Sequence, residues 1–390
     1  MKAPIRVLVG LVLCAFSLAC SLSGRIVEAK SGNPAQKRTV RAVASNLTAP
    51  VRPGWRLGAP VTHNKLSVFP VLTDEATSGA DFITLDEGLR AGKVIITELG
   101  ADGRSRSINR RRISDDAEVN KLALTNRSGK PLVLIAGEMI LGGKQDRIVG
   151  HDCIIEASNT PVPLDVFCVE HGRWSGGSGF GESVTAGRRG GNGMGAGSGP
   201  GSSGSQGTLP AMTLAPLALP NVREKAQATK SQGEVWSAVA DAVTANGTYT
   251  RTGNLTSVYK DKRVNSRLDG YERVFKGKLI TGNIVGVVVA VGNKIVSADV
   301  FASHSLFRAY WPKLLKSYAL EAVSTTGAGS QQARRDDAEA FLARVQGNET
   351  ESRESAYRLA ENQSAAHASF ELEYTRKTPT LIHFNRVAKK

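Results

Sequence analysis

Several scarcities narrow the chemistry of this chain. Its 390 residues hold only six histidines and four cysteines. His63, His304, His367 and His383 are isolated and show no metal-ligand spacing. No apolar run reaches the ~18 residues that a membrane-spanning helix needs. No internal repeat is present, and no βαβ rhythm that would build a doubly wound sheet. A nucleotide-binding phosphate loop is also missing. In GEMILGGK the second glycine of the Gly142-Gly143 pair displaces the lysine by one, and Gln145 stands where Ser or Thr is required. No specific nucleic-acid motif occurs. Acidic side chains are few, 35 against 50 basic ones, giving a net charge of +15. That balance favours anionic surroundings. The excess is nevertheless spread out, densest at Arg104 to Arg112 and just after the N-terminal leader, as on a solvated basic surface.

The chain begins with MKAPIRVLVGLVLCAFSLACSLSG, a short basic start followed by an apolar run from Val7 to Ala19. This pattern predicts a signal peptide over residues 1–24, and hence a periplasmic, secreted or lipid-anchored protein. Small residues precede Cys20, which would become the first mature residue and a site for a lipid anchor. Residues 25–57 are polar, basic and punctuated by Pro and Gly, and read as a linker. The strand-rich half of a single main domain follows over 58–174. Residues 175–208 are nearly all Gly and Ser, a low-complexity insertion unable to bury apolar area. The second half, with helices and a hairpin, covers 209–390.

Strands are expected at Leu66 to Leu72, Val94 to Leu99, Val119 to Thr125 and Pro131 to Ala136, the last two joined as a hairpin. Thr84 and Glu87 have capping-box spacing for a short helix that Gly92 closes, and Ser231 and Glu234 repeat it. After Ser231, Val235, Trp236, Val239, Ala240 and Val243 make one apolar face. Val264, Leu268, Tyr271 and Phe275 space another helix. Ile284 to Val291 is apolar on both faces and should be a central strand, turned at Gly292-Asn293. A long helix carries Trp311, Leu314, Leu315 and Tyr318, with Pro312 starting or breaking it; a last one carries Ala338, Phe341, Leu342 and Val345. Ser369 to Arg386 reads as one or two edge strands. Strands early and helices late give an α+β fold with mainly antiparallel sheets.

Two registers bear on function. A two-residue turn at Gly142-Gly143 would set Glu138 opposite Arg147 as a cross-strand ion pair. A symmetric hairpin around Ser158 to Pro163 would set Cys153 opposite Cys168 and His151 opposite Glu170. In an exported protein that alignment makes Cys153 and Cys168 candidates for a disulfide, with two packed thiols as the alternative. A metal held by His151, Cys153, Cys168 and Glu170 is disfavoured, because two hairpin strands rarely close a tetrahedral site.

GEMILGGKQDR followed by CVEHGRW resembles a family of bacterial proteins, the ARG and rhodanese-phosphatase-superfamily-associated protein domain. The stretch GNIVGVVVAVGNKIVSADVFASHSLFRAYWPKLLKSYALEAV resembles its second half, so the likeness runs from Leu66 to Val323 around the Gly/Ser insertion. The matching positions are Gly137, Glu138, Gly142, Gly143, Lys144, Gln145, Arg147, Cys168, Glu170, Gly172, Arg173 and Trp174; Asp146 stands where an amide is expected. The family has no established reaction, so the resemblance assigns no catalytic residue, and no cofactor or metal is implied.

The residues themselves suggest three functions. Glu138, Gln145, Arg147, Arg173 and Trp174 combine guanidinium forks, an amide and a stacking indole, the parts of a binding module for an unknown polar or anionic ligand. Glu138 and Glu170 could instead serve as the acid/base pair of a hydrolase acting on a glycosidic or N-glycosidic bond. In the third reading the same motifs brace the sheet of a structural or interaction protein of the cell envelope.

Overall fold

The computed structural model describes residues 39–41, 52–74, 82–99, 120–143, 145–171, 216–279, 282–327, 331–343 and 345–390. In chain order the elements begin with β1 (Thr39–Arg41), β2 (Arg56–Leu57), β3 (Val61–His63), β4 (Leu66–Leu72), β5 (Ile83–Thr84), α1 (Leu85–Arg90) and β6 (Val94–Glu98). The strands β7 (Lys121–Asn126), β8 (Leu132–Leu134), β9 (Met139–Ile140), β10 (Arg147–Val149), β11 (Cys153–Ile155) and β12 (Val162–Cys168) follow. Beyond the Gly/Ser insertion, α2 (Pro220–Glu224) runs into a π-helical turn, Lys225–Thr229, ahead of α3 (Gln232–Asn246), α4 (Leu255–Lys260) and α5 (Lys262–Phe275). The hairpin β13 (Ile284–Val291) and β14 (Lys294–Phe301) precedes α6 (His304–Ser324) and α7 (Arg335–Leu342). A closing meander comprises β15 (Asn348–Arg353), β16 (Tyr357–Gln363), β17 (His367–Tyr374) and β18 (Thr380–Ala388).

The architecture is α+β with mainly antiparallel sheets, and β13 explains why. Every residue of IVGVVVAV is buried, so the strand needs cover on both faces. Val287, Val289 and Val291 enter one core with Phe307, Leu314 and Tyr318 of α6. Val285, Val288 and Ala290 enter a second core with Ala338, Phe341 and Leu342 of α7. From Val287 to Val291 strand alternation divides the apolar run between two helical layers, and the register shift between Ile284 and Gly286 turns Val285 to the second side. Around β13 a ten-stranded sheet runs in the order β1-β15-β16-β17-β18-β14-β13-β4-β2, with β3 also on β4. A five-stranded sheet, β6-β7-β12-β10-β9, and a three-stranded one, β11-β8-β5, carry the motifs.

Many expected elements form for the expected reasons. Thr84 and Glu87 make a complete capping box. Ser231 caps α3 through the amide of Glu234, and Gly247 ends that helix in the left-handed region at φ 61°. Val264, Leu268, Tyr271 and Phe275 are the buried stripe of α5, and Val291 faces Lys294 across the Gly292-Asn293 turn.

Other expectations are corrected. Strands β7 and β8 are not a hairpin: β7 pairs β6 and β12, whereas β8 pairs β11 and β5. Asn126 makes the intervening turn a corner between sheets. Its amide donates to the carbonyls of Lys130 and Ile155 and accepts from Ser128. In α3, Ala240 is exposed and Trp236 half-buried, and Ala238 and Ala242 complete the apolar face. Val345 lies past the end of α7. Pro312 lies inside α6 rather than at its start. Residues Ser369 to Arg386 do not form edge strands, because β18 sits between β17 and β14 in the sheet interior. The expected linker contributes β1 against β15 and β2 against β4, and Trp55 packs edge-on to Phe384 at 5.5 Å. The leader, the basic run Arg104 to Arg112 and residues 175–208 lie outside the described residues.

Candidate functional site

Glu138 lies between β8 and β9, fully buried. One carboxylate oxygen accepts from Nζ of Lys313 at 2.8 Å; the other accepts from the amide of Ile135 at 3.0 Å and the hydroxyl of Tyr310 at 3.4 Å. Lys313 also reaches Asp86, in the first turn of α1, at 2.8 Å. Burial pushes the Glu138 carboxyl above its ordinary range, and Asp86 adds to the effect, because one cation serves two acids. For Lys313 burial favours the neutral amine, but Glu138 and Asp86 outweigh it and hold the ammonium charged.

Arg147 meets different partners. The Gly142-Gly143 turn is a six-residue loop rather than a two-residue one, so Arg147 faces Ile140 and Ile148 faces Met139. Asp146 holds the loop open by accepting from the amide of Gly142 at 3.0 Å. The register is two residues off the expected one, and no Glu138–Arg147 ion pair forms. Instead, Arg147 makes a forked pair with Glu98 at 3.0 and 3.2 Å and donates to the carbonyl of Gln145. The Gln145 amide donates to the Glu170 carbonyl at 3.2 Å and accepts from the Cys168 thiol at 2.8 Å. Asp146 accepts from Asn254 at 2.9 Å and Thr256 at 2.7 Å, which ties the loop to the start of α4. The Glu170 carboxylate accepts from the amide of Asp146 at 3.4 Å.

The second expected register fails as well. Cys168 lies opposite Arg147 on β10, and Cys153 lies opposite Leu134 on β8 in another sheet. Both are buried free thiols, so the disulfide is not formed. The switch occurs at Gly150, whose amide donates to Asp165 and where a Cβ would stand only 3.2 Å from that carbonyl oxygen and from the Phe167 ring. The chain therefore leaves β12 before residue 153. Burial raises the pKa of both thiols above the usual range. Among the described residues no cluster of His, Cys, Asp and Glu could hold a metal ion. Arg173, Trp174, Lys144, Gly172 and Cys20 lie outside the described residues.

A third network has no counterpart in the sequence motifs. Arg223 of α2, fully buried, forks onto Asp299 of β14 at 2.6 and 3.2 Å and donates to the carbonyl of Ala136 at 3.0 Å. Asp299 also accepts from Tyr318, Ser297 and Asn385. His383 bridges Asp299 at 3.1 Å and Asp152 at 2.6 Å. Burial would raise the Asp299 carboxyl, but Arg223 and His383 outweigh it and hold it well below the usual carboxylate range. For His383 burial favours the neutral ring, yet Asp152 and Asp299 prevail and lift its pKa to about 9. The available signal was the run of polar residues at every second position within apolar strands, Ser297 and Asp299 on β14 and His383 and Asn385 on β18. It implies a buried polar face but not its partners.

Lys313 connects the first network to open space. It forms part of the wall of a cavity of about 320 Å3 together with Trp311, Pro312 and Leu315. Lys276, Arg308, Lys316 and one acid, Glu272, stand around the same cavity; Lys316 pairs with Glu272 at 3.3 Å. Lys276 and Arg308 are exposed and have no carboxylate partner among the described residues.

Fold and site together define an α+β domain in which Glu138, Gln145, Arg147 and Glu170 are tied into buried hydrogen-bond and charge networks, while the exposed cations Lys276 and Arg308 flank a cavity on α5 and α6. Residues 54–192 and 205–387 match the ARG and Rhodanese-Phosphatase-superfamily-associated Protein domain, and the chain belongs to that family. The match extends well beyond the stretch that carried the resemblance, to Pro53's neighbour Gly54 on one side and Val387 on the other. No curated protein and no solved structure matches the chain.

Proposed function

We propose that this protein is an exported binding module for an amphiphilic anion, a carboxylate or phosphate on an apolar body. The observation that carries this reading is the pairing of Lys276 and Arg308 with the apolar wall of Trp311, Pro312 and Leu315 around one cavity. A cation without a partner beside buried apolar surface attracts an anion whose carbon skeleton can cover that surface. Glu138 and Asp86 act behind the wall, fixing Lys313 by two ion pairs and thereby the turn of α6 that carries Trp311. Gln145 and Arg147 serve the fold in this reading.

Titration calorimetry with benzoate, octanoate and inorganic phosphate tests the proposal. One of the two organic acids should bind, and Arg308→Ala and Lys276→Ala should each weaken it by about tenfold or more, the scale of one charge-assisted hydrogen bond. Both side chains are exposed, so the variants should melt like the parent. If no anion binds, or if both variants bind unchanged, the cavity is not the site and the envelope-structural reading takes its place. The hydrolase reading draws less support, since Glu138 and Glu170 sit in separate networks and neither forms part of this cavity's wall. Export rests on the leader alone; among the described residues no helix is long and apolar enough to cross a membrane.

A further inference from the structure

A second cavity, of about 600 Å3, opens beside the other end of the α5–α6 pair, where the β3–β4 turn, α5 and the end of α6 meet. We propose that it binds a small polyhydroxylated anion, a sugar bearing one carboxylate or one phosphate. This inference is independent of the Trp311 cavity, with which it shares no residue.

Three features carry it. The first is charge. Among the described residues Lys65 and Arg267 border the cavity and no Asp or Glu does. Each head group is steadied by a neutral oxygen, Lys65 by the carbonyl of Thr325 at 2.8 Å and Arg267 by that of Val323 at 3.1 Å. These bonds fix the cations without cancelling their charge, and an ammonium or guanidinium has further donors to offer. The carbonyl end of α6 offsets only a fraction of a charge. An anion is therefore preferred over a neutral ligand.

The second feature is the chemistry of the remaining walls. Asn64, Gln331, Gln332 and Ser266 border the same space, beside Tyr271, Ala322 and Val323. Amides both donate and accept, as sugar hydroxyls do, so they suit a polyol better than an apolar body. Here the cavity differs from the one at Trp311, whose wall is largely apolar.

The third is Gly270. It lies inside α5, where a glycine costs about 1 kcal/mol relative to alanine. Nothing lies within 4 Å of where its Cβ would be, and the backbone there is ordinary helix. Neither packing nor conformation explains the missing side chain. Because Gly270 borders the cavity, its lack of a side chain keeps ligand-sized space open and lets a ligand approach the helix backbone.

The experiment compares glucuronate, glucose 6-phosphate and neutral glucose by titration calorimetry on the wild type, Gly270→Leu and Arg267→Gln. Wild type should bind at least one of the acids with Kd below about 1 mM, and glucose at least tenfold more weakly. Preference between the two acids identifies the anionic group. Gly270→Leu should melt at or above the wild-type temperature yet bind at least tenfold more weakly, and Arg267→Gln should lose a similar factor. The proposal is overturned if neither acid binds, if glucose binds as well as the acids, or if a well-folded Gly270→Leu retains full affinity. Should Gly270→Leu fail to fold, undiminished affinity in Arg267→Gln overturns it instead.

Discussion

A methyl group on Gly137 would stand 2.4 Å from Cγ of Arg223, at a backbone φ of +85°. Gly137→Ala therefore combines a left-handed alanine with displacement of the side chain that neutralises Asp299. Breaking a fully buried ion pair costs ~3–5 kcal/mol, so a loss of more than about 2 kcal/mol is expected from urea unfolding. Gly129 is the control. Its φ is +79° but its Cβ would meet nothing, so Gly129→Ala should cost only the left-handed strain of about 1 kcal/mol. Equal losses at the two sites would remove the Arg223 argument. At this scale the sequence identified polar residues that matter but mispaired them. Glu138 and Arg147 stand nine positions apart and were expected to neutralise each other. Their partners are Lys313 and Glu98, 175 and 49 positions away. Local spacing carries no information about contacts that depend on packing α6 or β6 against the motif.

Elements were more legible than their pairings. The β13–β14 hairpin and helix α5 follow from periodicity and turn chemistry, and so does the apolar face of α7, although the pattern runs on past its end to Val345. The short strands around the motifs were misregistered, since two or three residues hold too little pattern to specify a neighbour. In β15 and β16 the signal was lost because charged residues ladder across a half-buried face: Arg358 bonds Glu351 at 3.0 Å and Glu373 at 2.9 Å. The loop of residues 141–146 shows what a side chain adds to such weak registers. Asp146 accepts three hydrogen bonds, from Gly142, Asn254 and Thr256, and Asn254 cannot turn its amide round without releasing its cap on Thr256. An amide at position 146 would face one of these donors with a donor of its own. Asp146→Asn should thus destabilise the protein by about 1–3 kcal/mol and raise hydrogen exchange in α4 ahead of α5. Unchanged stability would mean that the loop is held by Glu170 and the backbone alone.

At the scale of the whole molecule, stability depends on one proton where α2, α6, β14 and β18 converge. Arg223 and a protonated His383 carry two positive charges, and Asp299 and Asp152 two negative ones, so the buried network is neutral only while the imidazole is charged. The ring is fully buried, and Phe301 stacks on it at 4.5 Å. With a folded pKa of about 9 against an ordinary 6.5, the native state holds a proton that the unfolded chain releases. This contribution is complete below pH 6.5 and disappears as pH rises through about 9, with a slope near 1.4 kcal/mol per pH unit in between. Asp299 behaves in the opposite sense. Its depressed pKa adds stability above the ordinary carboxylate value that is lost on acidification. Urea midpoints should therefore fall between pH 6.5 and 9 in the wild type, although no disulfide or metal responds over that range among the described residues. In His383→Asn the amide can still donate to one acid but takes up no proton, so the protein should be less stable at pH 6 and its curve flatter by the equivalent of one proton. Parallel curves for the two proteins would show that His383 is neutral in the folded state and that the four elements are held together by Arg223 and Asp299 without it.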